Sequence, residues 1–549
     1  MRTPIQRASP LPGLLALAIV AGVFAINIYR AVHQSITADE AFTFDYYIVK
    51  PFNWILVIYS TNNHVLHTLL CRLSVKALGI SELAMRLPSL LGGLLYLVFV
   101  YKLCRYLFKN QWTFLLAVAA LTLNPFLMDY LSIARGYGMA LGLFIAALYF
   151  VIRFLDDQPQ AANYNRVTAS AILLGLSISA NLVFLFPAAA LAGMLTLLRL
   201  ADAKRAGGWK RLWWIMGRVW APLVVTAALF VAIPVAHEKG GTFRPDLYGK
   251  DSLRDTTRSL VRPSLFHQYG PNNAEATPAN IDRSIDIVTR WVVPLMLALV
   301  FAMAIPLCWR WLRDRDLCRL SSLDSAYFLI GAVLAISLGM LVAARYLFGF
   351  LYPLDRTAIY LVALLTLEWM LLIDKSLALP GVGRATGLLA AAPVAIAILL
   401  FLRGFTTSYY YEWRYDAGTK RIFQLLQQQH RLAGNRQMNL GVIWMLDFSF
   451  NFYREMYQAD WLAKVTRDRP LEAGGFDYYV LYPGDEPALG KLGLRVIYRD
   501  PISGQELAVP GNGAAVRIKS CPASTSTISD AGRRRRTVRR SNRHCWLTG

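Results

Sequence analysis

The apolar stretch LPGLLALAIVAGVFAINIY, Leu11 to Tyr29, is followed five residues later by SITADEAF, Ser35 to Phe42. The first stretch carries no charge, and a helix needs about 20 such residues at 1.5 Å each to cross the hydrocarbon core of a bilayer. Asp39 and Glu40 therefore stand side by side where a membrane helix surfaces into water. Spanning a bilayer requires no carboxylate pair at that point, and ionisable groups at a membrane boundary with no evident structural partner suggest function. The same apolar stretch could be read as a cleavable leader. Ala31-Val32-His33 offers no suitable cleavage site, however, so a retained helix is expected.

Working outward, the chain of 549 residues is 56% hydrophobic and only 17% charged, with mean hydropathy +0.39. That balance excludes an ordinary soluble domain and predicts a polytopic α-helical membrane protein. Hydropathy predicts about eleven membrane-spanning segments: 11–29, 84–108, 112–131, 136–155, 166–180, 182–199, 213–236, 288–309, 325–348, 357–374 and 385–403. The pair 166–180 and 182–199 meets at Asn181 and resembles one long helix interrupted.

A formal charge of +23 invites a nucleic-acid reading, but its distribution argues for topology. Basic residues cluster between alternate spans: Lys102, Arg105 and Lys109; Arg199, Lys204, Arg205, Lys210 and Arg211; Arg310, Arg313, Arg315 and Arg319; then Lys375 and Arg384. The positive-inside rule places these in the cytoplasm together with Arg2 and Arg7 of the amino terminus. An odd number of spans then leaves the carboxy-terminal region outside, on the same face as Asp39 and Glu40. The bilayer is the expected partner of this charge, not nucleic acid. The cysteines Cys71, Cys104, Cys308, Cys318, Cys521 and Cys545 show no metal spacing, and three fall on the predicted cytoplasmic side, which argues against a disulfide framework.

Four regions interrupt the spans. The outer loop 30–83 contains His64, Thr68, Arg72 and Lys76 at every fourth residue, with Leu66, Leu69, Leu70, Leu73 and Ala77 opposite. This pattern predicts a helix lying in the membrane interface. The outer loop 237–287 is polar, rich in Gly and Pro, and too long for a mere connector; it carries Arg244, Asp246, Tyr248, Arg254, Arg258, Arg262, His267 and Tyr269. Residues 1–403 thus form a transmembrane module, and 404–519 read as a small outer α/β domain. In that domain a helix is expected over Thr419–Arg431, followed by a short apolar run at Leu440–Met445, with strands at Tyr478–Tyr482 and Leu494–Tyr498. Residues 520–549, with Arg533-Arg534-Arg535-Arg536, read as a disordered basic tail. No internal repeat is apparent, which weighs against common transporter architectures.

Four positions can carry chemistry. In the Asp39-Glu40 pair one carboxylate can serve as a general base on an acceptor hydroxyl while its neighbour orients it or helps bind a cation; solvated loop acids or a helix cap are the plain alternative. His64 can face the same cavity as hydrogen bonder or metal ligand, or simply follow a capping Asn63. Arg135 can grip a phosphate bidentately, or snorkel to headgroups. Arg356, beside Asp355 at the outer end of another span, can place a guanidinium in a cavity, or belong to an ordinary helix start.

Taken in order, these elements resemble a known group. Thr37-Ala38-Asp39-Glu40-Ala41-Phe42 resembles the first outer loop of the GT-C class glycosyltransferases, which include protein O-mannosyltransferases and lipid A aminoarabinose transferases. Asn62-Asn63-His64-Val65-Leu66-His67 is similar to that group's Asn-His-Pro-Leu element, with Val65 where its proline usually stands. Ser81-Glu82-Leu83-Ala84-Met85-Arg86-Leu87-Pro88-Ser89 matches the start of the second span, and Ala134-Arg135-Gly136-Tyr137-Gly138 resembles the Ala-Arg-x-Tyr element. The resemblance covers about residues 25–200 well and the later spans loosely.

It implies an inner-membrane enzyme that takes a sugar from a polyprenyl phosphate donor on the periplasmic face and passes it, with inversion, to a glycan, lipid or protein acceptor. It further implies Asp39 as base with Glu40 assisting, Arg135 and Arg356 on the lipid phosphate, and His64, Asp355 and Tyr137 around the cavity or acceptor. Some members use a divalent cation near the acidic residue, for which Asp39 and His64 would be the ligands. The rival expectation is a transporter or flippase for a lipid-linked sugar, which would bury its charges near mid-bilayer.

Overall fold

The computed structural model describes residues 10–58, 60, 62–157, 163–206, 209–237, 249–268, 277–314, 322–443, 446–467, 471–482 and 490–511. Arg244, Asp246, Tyr248, Tyr269, Arg315, Arg319, Cys318, Cys521, Cys545, Met445 and the tail 520–549 lie outside these described residues.

The protein is a polytopic helical membrane protein with a small carboxy-terminal sheet. Among the described residues, nine helices are long and apolar enough to cross a membrane. They begin with α1 (Leu11–His33) and continue after the outer-loop helices α2 (Ala38–Thr43), α3 (Phe52–Val57) and α4 (Val65–Leu78) with α5 (Glu82–Leu107). Two of the eleven expected segments fall short of the others. The segment 112–131 is broken into α6 (Gln111–Thr122) and α7 (Pro125–Tyr130), because Leu123 leaves the helix and Asn124 caps a new one on the amide of Leu127. The segment 166–180 is α9 (Tyr164–Ala180), 17 residues that end at Asn181 as the sequence suggested. Between these lies α8 (Tyr137–Leu155). The remaining membrane helices are α10 (Leu185–Ala206), α11 (Trp209–Ala236), α14 (Val293–Asp314), α15 (Ser322–Phe348), α16 (Ile359–Leu377) and α17 (Val382–Gly404).

Without a hydrophobic drive between helices in lipid, close packing depends on small residues at the crossings. The α5–α8 crossing shows this: a Cβ on Gly92 would lie 2.4 Å from Cα of Met139, and one on Gly142 would lie 2.4 Å from the carbonyl of Gly92. The core formed around this crossing includes Tyr96, Leu97, Leu141, Phe144 and Leu148, all fully buried. At the far end of these helices the charged side chains pair locally, Arg166 with Asp157 and Arg105 with Gln111.

The outer loop 30–83 does not behave quite as its pattern suggested. Helix α4 buries Val65, His67, Thr68, Cys71 and Ser74 against the protein, while Leu73 and Leu78 are more than half exposed. His67 and Arg72 turn inward to hydrogen-bonding partners, Ser89 Oγ for His67 and the carbonyls of Tyr47 and Lys50 for Arg72, whereas Lys76 of the predicted stripe is exposed. Leu66, Leu69 and Leu70 pack partly buried against the protein, and only Leu73 and Leu78 are left facing outward, as an interfacial helix would present them to lipid. Nor does Asn63 cap this helix; its Nδ2 donates instead to the carbonyls of Ile55 and Ile58 at 2.8 and 3.0 Å.

In the segment 237–287, α12 (Leu253–Leu265) starts at a Ser252 cap, and α13 (Ala279–Ile287) runs through a π-helical turn into α14. The carboxy-terminal region contains α18 (Thr419–Leu432), α19 (Asp447–Met456) and a four-stranded sheet in the order β1-β2-β4-β3. Strands β1 (Leu440–Val442) and β2 (Tyr478–Leu481) are parallel, while β4 (Glu506–Pro510) runs antiparallel to both β2 and β3 (Leu494–Arg499). Strand β4 was not legible in the sequence. The carboxy-terminal region shares a continuous core with the segment after α1 and the start of α5, in which Ile36, Ala41, Phe44 and Met85 pack with Ile422, Phe423, Leu446 and Phe450.

Candidate active site

The site is built on the first turn of α2. Thr37 and Glu40 form a reciprocal capping box: Thr37 Oγ1 accepts from the Glu40 amide at 3.3 Å, and Glu40 Oε2 accepts from the Thr37 amide at 3.0 Å. This motif turns Glu40 inward, so that Asp39, one residue earlier, points to another side of the same turn. Glu40 is wholly buried. Its oxygens take Arg86 Nη2 at 2.6 Å, Arg86 Nε at 2.8 Å and the Ala134 amide at 2.7 Å. The sequence made Glu40 a working partner of Asp39; the structure gives it the place of an anchor, with its acceptor positions occupied and no exposed surface.

Asp39 keeps about a quarter of its side chain exposed, and two guanidinium groups meet at its Oδ2. Arg135 Nη2 approaches to 3.4 Å and Arg356 Nη2 to 3.5 Å. Arg135 reaches this point from the bend before α8. Gly136 occupies the left-handed region with φ of 68°, and a Cβ there would lie 2.4 Å from the Ala180 carbonyl. Arg135 is itself buried and donates from Nη2 to Asn62 Oδ1 at 2.8 Å, while its Nε and Nη1 have no partner among the described residues. Arg356 sits in a 3-10 turn, Asp355–Ala358, entered through Asp355 at a positive φ of 45°. The Asp355 amide donates to Ser259 Oγ of α12 at 2.8 Å, which fixes the turn.

His64 lies in the same group. Its ring meets Tyr137 edge-on at 5.3 Å, and its buried Nε2 has no hydrogen-bond partner among the described residues. Burial, and after it the nearby Arg135, hold the imidazole well below the usual histidine range, so it is neutral. Of the residues singled out in the sequence, Asp39, His64, Arg135, Tyr137 and Arg356 thus converge, with Asp355 in the turn that carries Arg356. Arg345 and Tyr346, near the end of α15, stand apart from this group: Arg345 pairs with Asp251, and Tyr346 is 81% exposed.

Four further parts come from far along the chain. Glu412 takes Arg356 Nη1, and Trp413 lies beneath the same guanidinium at 5.3 Å. Asp416 accepts the Ala38 amide at 2.6 Å; burial, aided by the neighbouring Asp39, pushes its carboxyl well above the usual range. Asp129 anchors the whole segment by taking Arg30 at 2.6 Å, the Tyr411 amide at 2.8 Å and His267 Nε2 at 2.9 Å. The one signal in the sequence was the aromatic run Tyr409-Tyr410-Tyr411-Glu412-Trp413 directly after the last span.

The donor set does not fit a divalent cation between Asp39 and His64. The carboxylate already faces two guanidinium groups, and a dication there would stand against both. Among the described residues no three His, Cys, Asp or Glu side chains gather as metal ligands. Buried, unpartnered N–H donors beside a carboxylate suit an oxyanion better.

No model of a known protein family matches the chain, and neither does any curated protein. Among solved structures the chain is similar to ArnT from Cupriavidus metallidurans bound to undecaprenyl phosphate, at 15% identity and a TM-score of 0.40, over 91% of this chain and 98% of that one. It is also similar to the apo oligosaccharyltransferase of Archaeoglobus fulgidus, at 11% identity and a TM-score of 0.44, over 86% and 71% of the two chains. A third is the arabinosyltransferase EmbB of Mycobacterium smegmatis, at 14% identity and a TM-score of 0.33, over 77% and 44%.

Proposed function

We propose that this protein is a membrane glycosyltransferase that takes a sugar from a polyprenyl phosphate donor and passes it to a hydroxyl of an envelope glycan, lipid or protein on the periplasmic face of the inner membrane. The observation that carries this reading is the meeting of Arg135 and Arg356 on one oxygen of the partly exposed Asp39, at 3.4 and 3.5 Å. A carboxylate and two guanidinium groups within a few ångströms are what a displacement with a phosphate leaving group needs.

In the proposed reaction Asp39 takes the proton of the acceptor hydroxyl as that oxygen attacks the anomeric carbon. The bond from the anomeric carbon to the phosphate oxygen breaks at the same time, its electron pair leaving with the lipid phosphate. Attack from the face opposite the leaving group inverts the configuration. Charge developing on the departing phosphate falls to Arg135 and Arg356, which are already in place and pre-oriented, with the neutral His64 as a further donor. The carboxylate and the phosphate-binding groups come from different elements, α2 on one side and the turns before α8 and α16 on the other.

A lipid tail also has a place to lie. A groove of about 670 Å³ runs between α12 and the helices α14 to α17, lined by apolar side chains such as Leu260, Met296, Leu338, Leu365 and Val394. Its wall α12 is the helix whose Ser259 holds the turn carrying Arg356. A polyprenyl chain in this groove would bring its phosphate to the guanidinium end.

The test is transfer by the purified protein in nanodiscs, using lipid-linked sugars and envelope acceptors from a deletion strain, followed by mass spectrometry of the products. Sugar should appear on the acceptor with wild-type protein and not with Asp39→Asn. Movement of the donor across a vesicle without any acceptor, and no transfer, would overturn this reading in favour of a flippase.

A further inference from the structure

Glu412 takes no part in the reaction just described, yet it holds a group that the reaction needs. Arg356 divides its two terminal nitrogens between carboxylates: Nη1 goes to Glu412 Oε2, and Nη2 lies 3.5 Å from Asp39 Oδ2. The Trp413 ring at 5.3 Å holds the guanidinium plane, so both nitrogens of the fork are aimed. A phosphate grips such a fork through two of its oxygens, and it can do so only if one carboxylate gives way.

We propose that Glu412 is a positioning residue that sets how tightly the site takes a lipid phosphate, occupying Arg356 until the incoming phosphate displaces it. This rests on the transferase reading above. Asp39 has to remain an ionised base beside the phosphate, so Glu412 is the carboxylate that yields. It can yield at little cost, because its other oxygen, Oε1, accepts from the hydroxyl of the buried Tyr130 and retains that partner. The segment bearing Glu412 is pinned on both sides, by the Tyr411 amide on Asp129 at 2.8 Å and by Asp416 on the Ala38 amide at 2.6 Å. Changing the Glu412 side chain therefore leaves the backbone around Arg356 where it is.

The carboxylate and the phosphate compete for one guanidinium, so removing the carboxylate's charge strengthens the phosphate's hold. The measurement is equilibrium binding of undecaprenyl phosphate to the purified full-length protein, with undecaprenol and inorganic phosphate as parallel probes. Glu412→Gln keeps the shape and the Tyr130 hydrogen bond. It should tighten undecaprenyl phosphate by about three- to tenfold, the scale of one partly buried charge pair. Undecaprenol binding should not change, and the gain should vanish in an Arg356→Gln background. In turnover the donor KM should fall while the acceptor KM holds, a split that a merely structural role would not produce. Tightening of inorganic phosphate alone would show a site for the free ion and overturn the lipid assignment.

Unchanged or weaker lipid phosphate binding in a normally melting Glu412→Gln, while wild type still prefers undecaprenyl phosphate to undecaprenol, would overturn the inference and leave the transferase reading standing. Wild type that does not distinguish those two lipids would overturn both. If Glu412→Gln fails to fold, Glu412→Asp retains the charge at a greater reach from Arg356. It should show a smaller tightening, and unchanged affinity in that variant would overturn the inference.

Discussion

Arg86 closes on Glu40 with two of its guanidinium nitrogens, Nη2 on Oε2 at 2.6 Å and Nε on Oε1 at 2.8 Å, and neither side chain touches solvent. The remaining Arg86 nitrogen donates to the Gln34 carbonyl at 2.8 Å, so this pair joins the end of α1, the start of α2 and the first turns of α5. Breaking such a pair strands a buried charge, which costs about 3–5 kcal/mol. Glu40→Ala and Arg86→Ala are each expected to lower the melting temperature sharply, and the double variant by less than their sum. Activity per folded molecule should fall far less than the amount of folded protein.

Asp39→Asn should behave in the opposite way. Its neighbours are two guanidinium groups at a partly open site, and the capping box does not involve its side chain. Melting should be near wild type, while the transfer rate drops by about 10² to 10⁴, the usual contribution of a positioned base. Transfer at the wild-type rate would remove Asp39 from the mechanism.

On the proposed mechanism, Arg135→Ala removes a donor to the phosphate and leaves the base in place. A charge-assisted hydrogen bond contributes about 1.5–3 kcal/mol, so the donor KM should rise roughly 10- to 100-fold with little change for the acceptor. Arg135→Lys should recover only part of this, since a point charge cannot reproduce the planar fork. Kinetics with donor and acceptor varied separately will show which constant moves.

His67 gives a pH signature. Buried, with Nε2 on Ser89 Oγ at 2.7 Å, its imidazole is pushed down to about 3 by burial and, after that, by Arg135. The unfolded chain takes up a proton near 6.5 that the folded one refuses. Its contribution to stability is therefore intact above 6.5 and is lost as the pH falls from there toward 3, by up to about 1.4 kcal/mol per pH unit. His67→Gln should flatten this acid limb in melting curves taken between pH 7 and pH 4.

Gly136→Ala is expected to damage the site without touching its chemistry. The left-handed φ of 68° disfavours a side chain by about 1–2 kcal/mol, and the new methyl would meet the Ala180 carbonyl at 2.4 Å. The bend that presents Arg135 has to shift, and donor affinity should fall with it. Unaltered donor KM in this variant would show that the bend tolerates the methyl.

The sequence by itself determined the fold class and singled out the residues of the candidate site that lie early in the chain. Apolar length alone marks a helix that must bury its backbone in lipid, so nine membrane helices were legible, and the local pattern around Asp39, His64 and Arg135 was legible as chemistry. Capping is also local, but its consequence was missed: Thr37 and Glu40, three residues apart, send Glu40 inward and leave Asp39 as the partly exposed carboxylate. Only the tertiary structure could decide the rest. Arg356 lies 317 residues from the Asp39 it approaches, Arg30 lies 99 from Asp129, and Glu412 lies 56 from Arg356. The physical reason is that a hydrophobic period is written in neighbours along the chain, whereas an ion pair is set by distance in space, which depends on how every intervening helix packs.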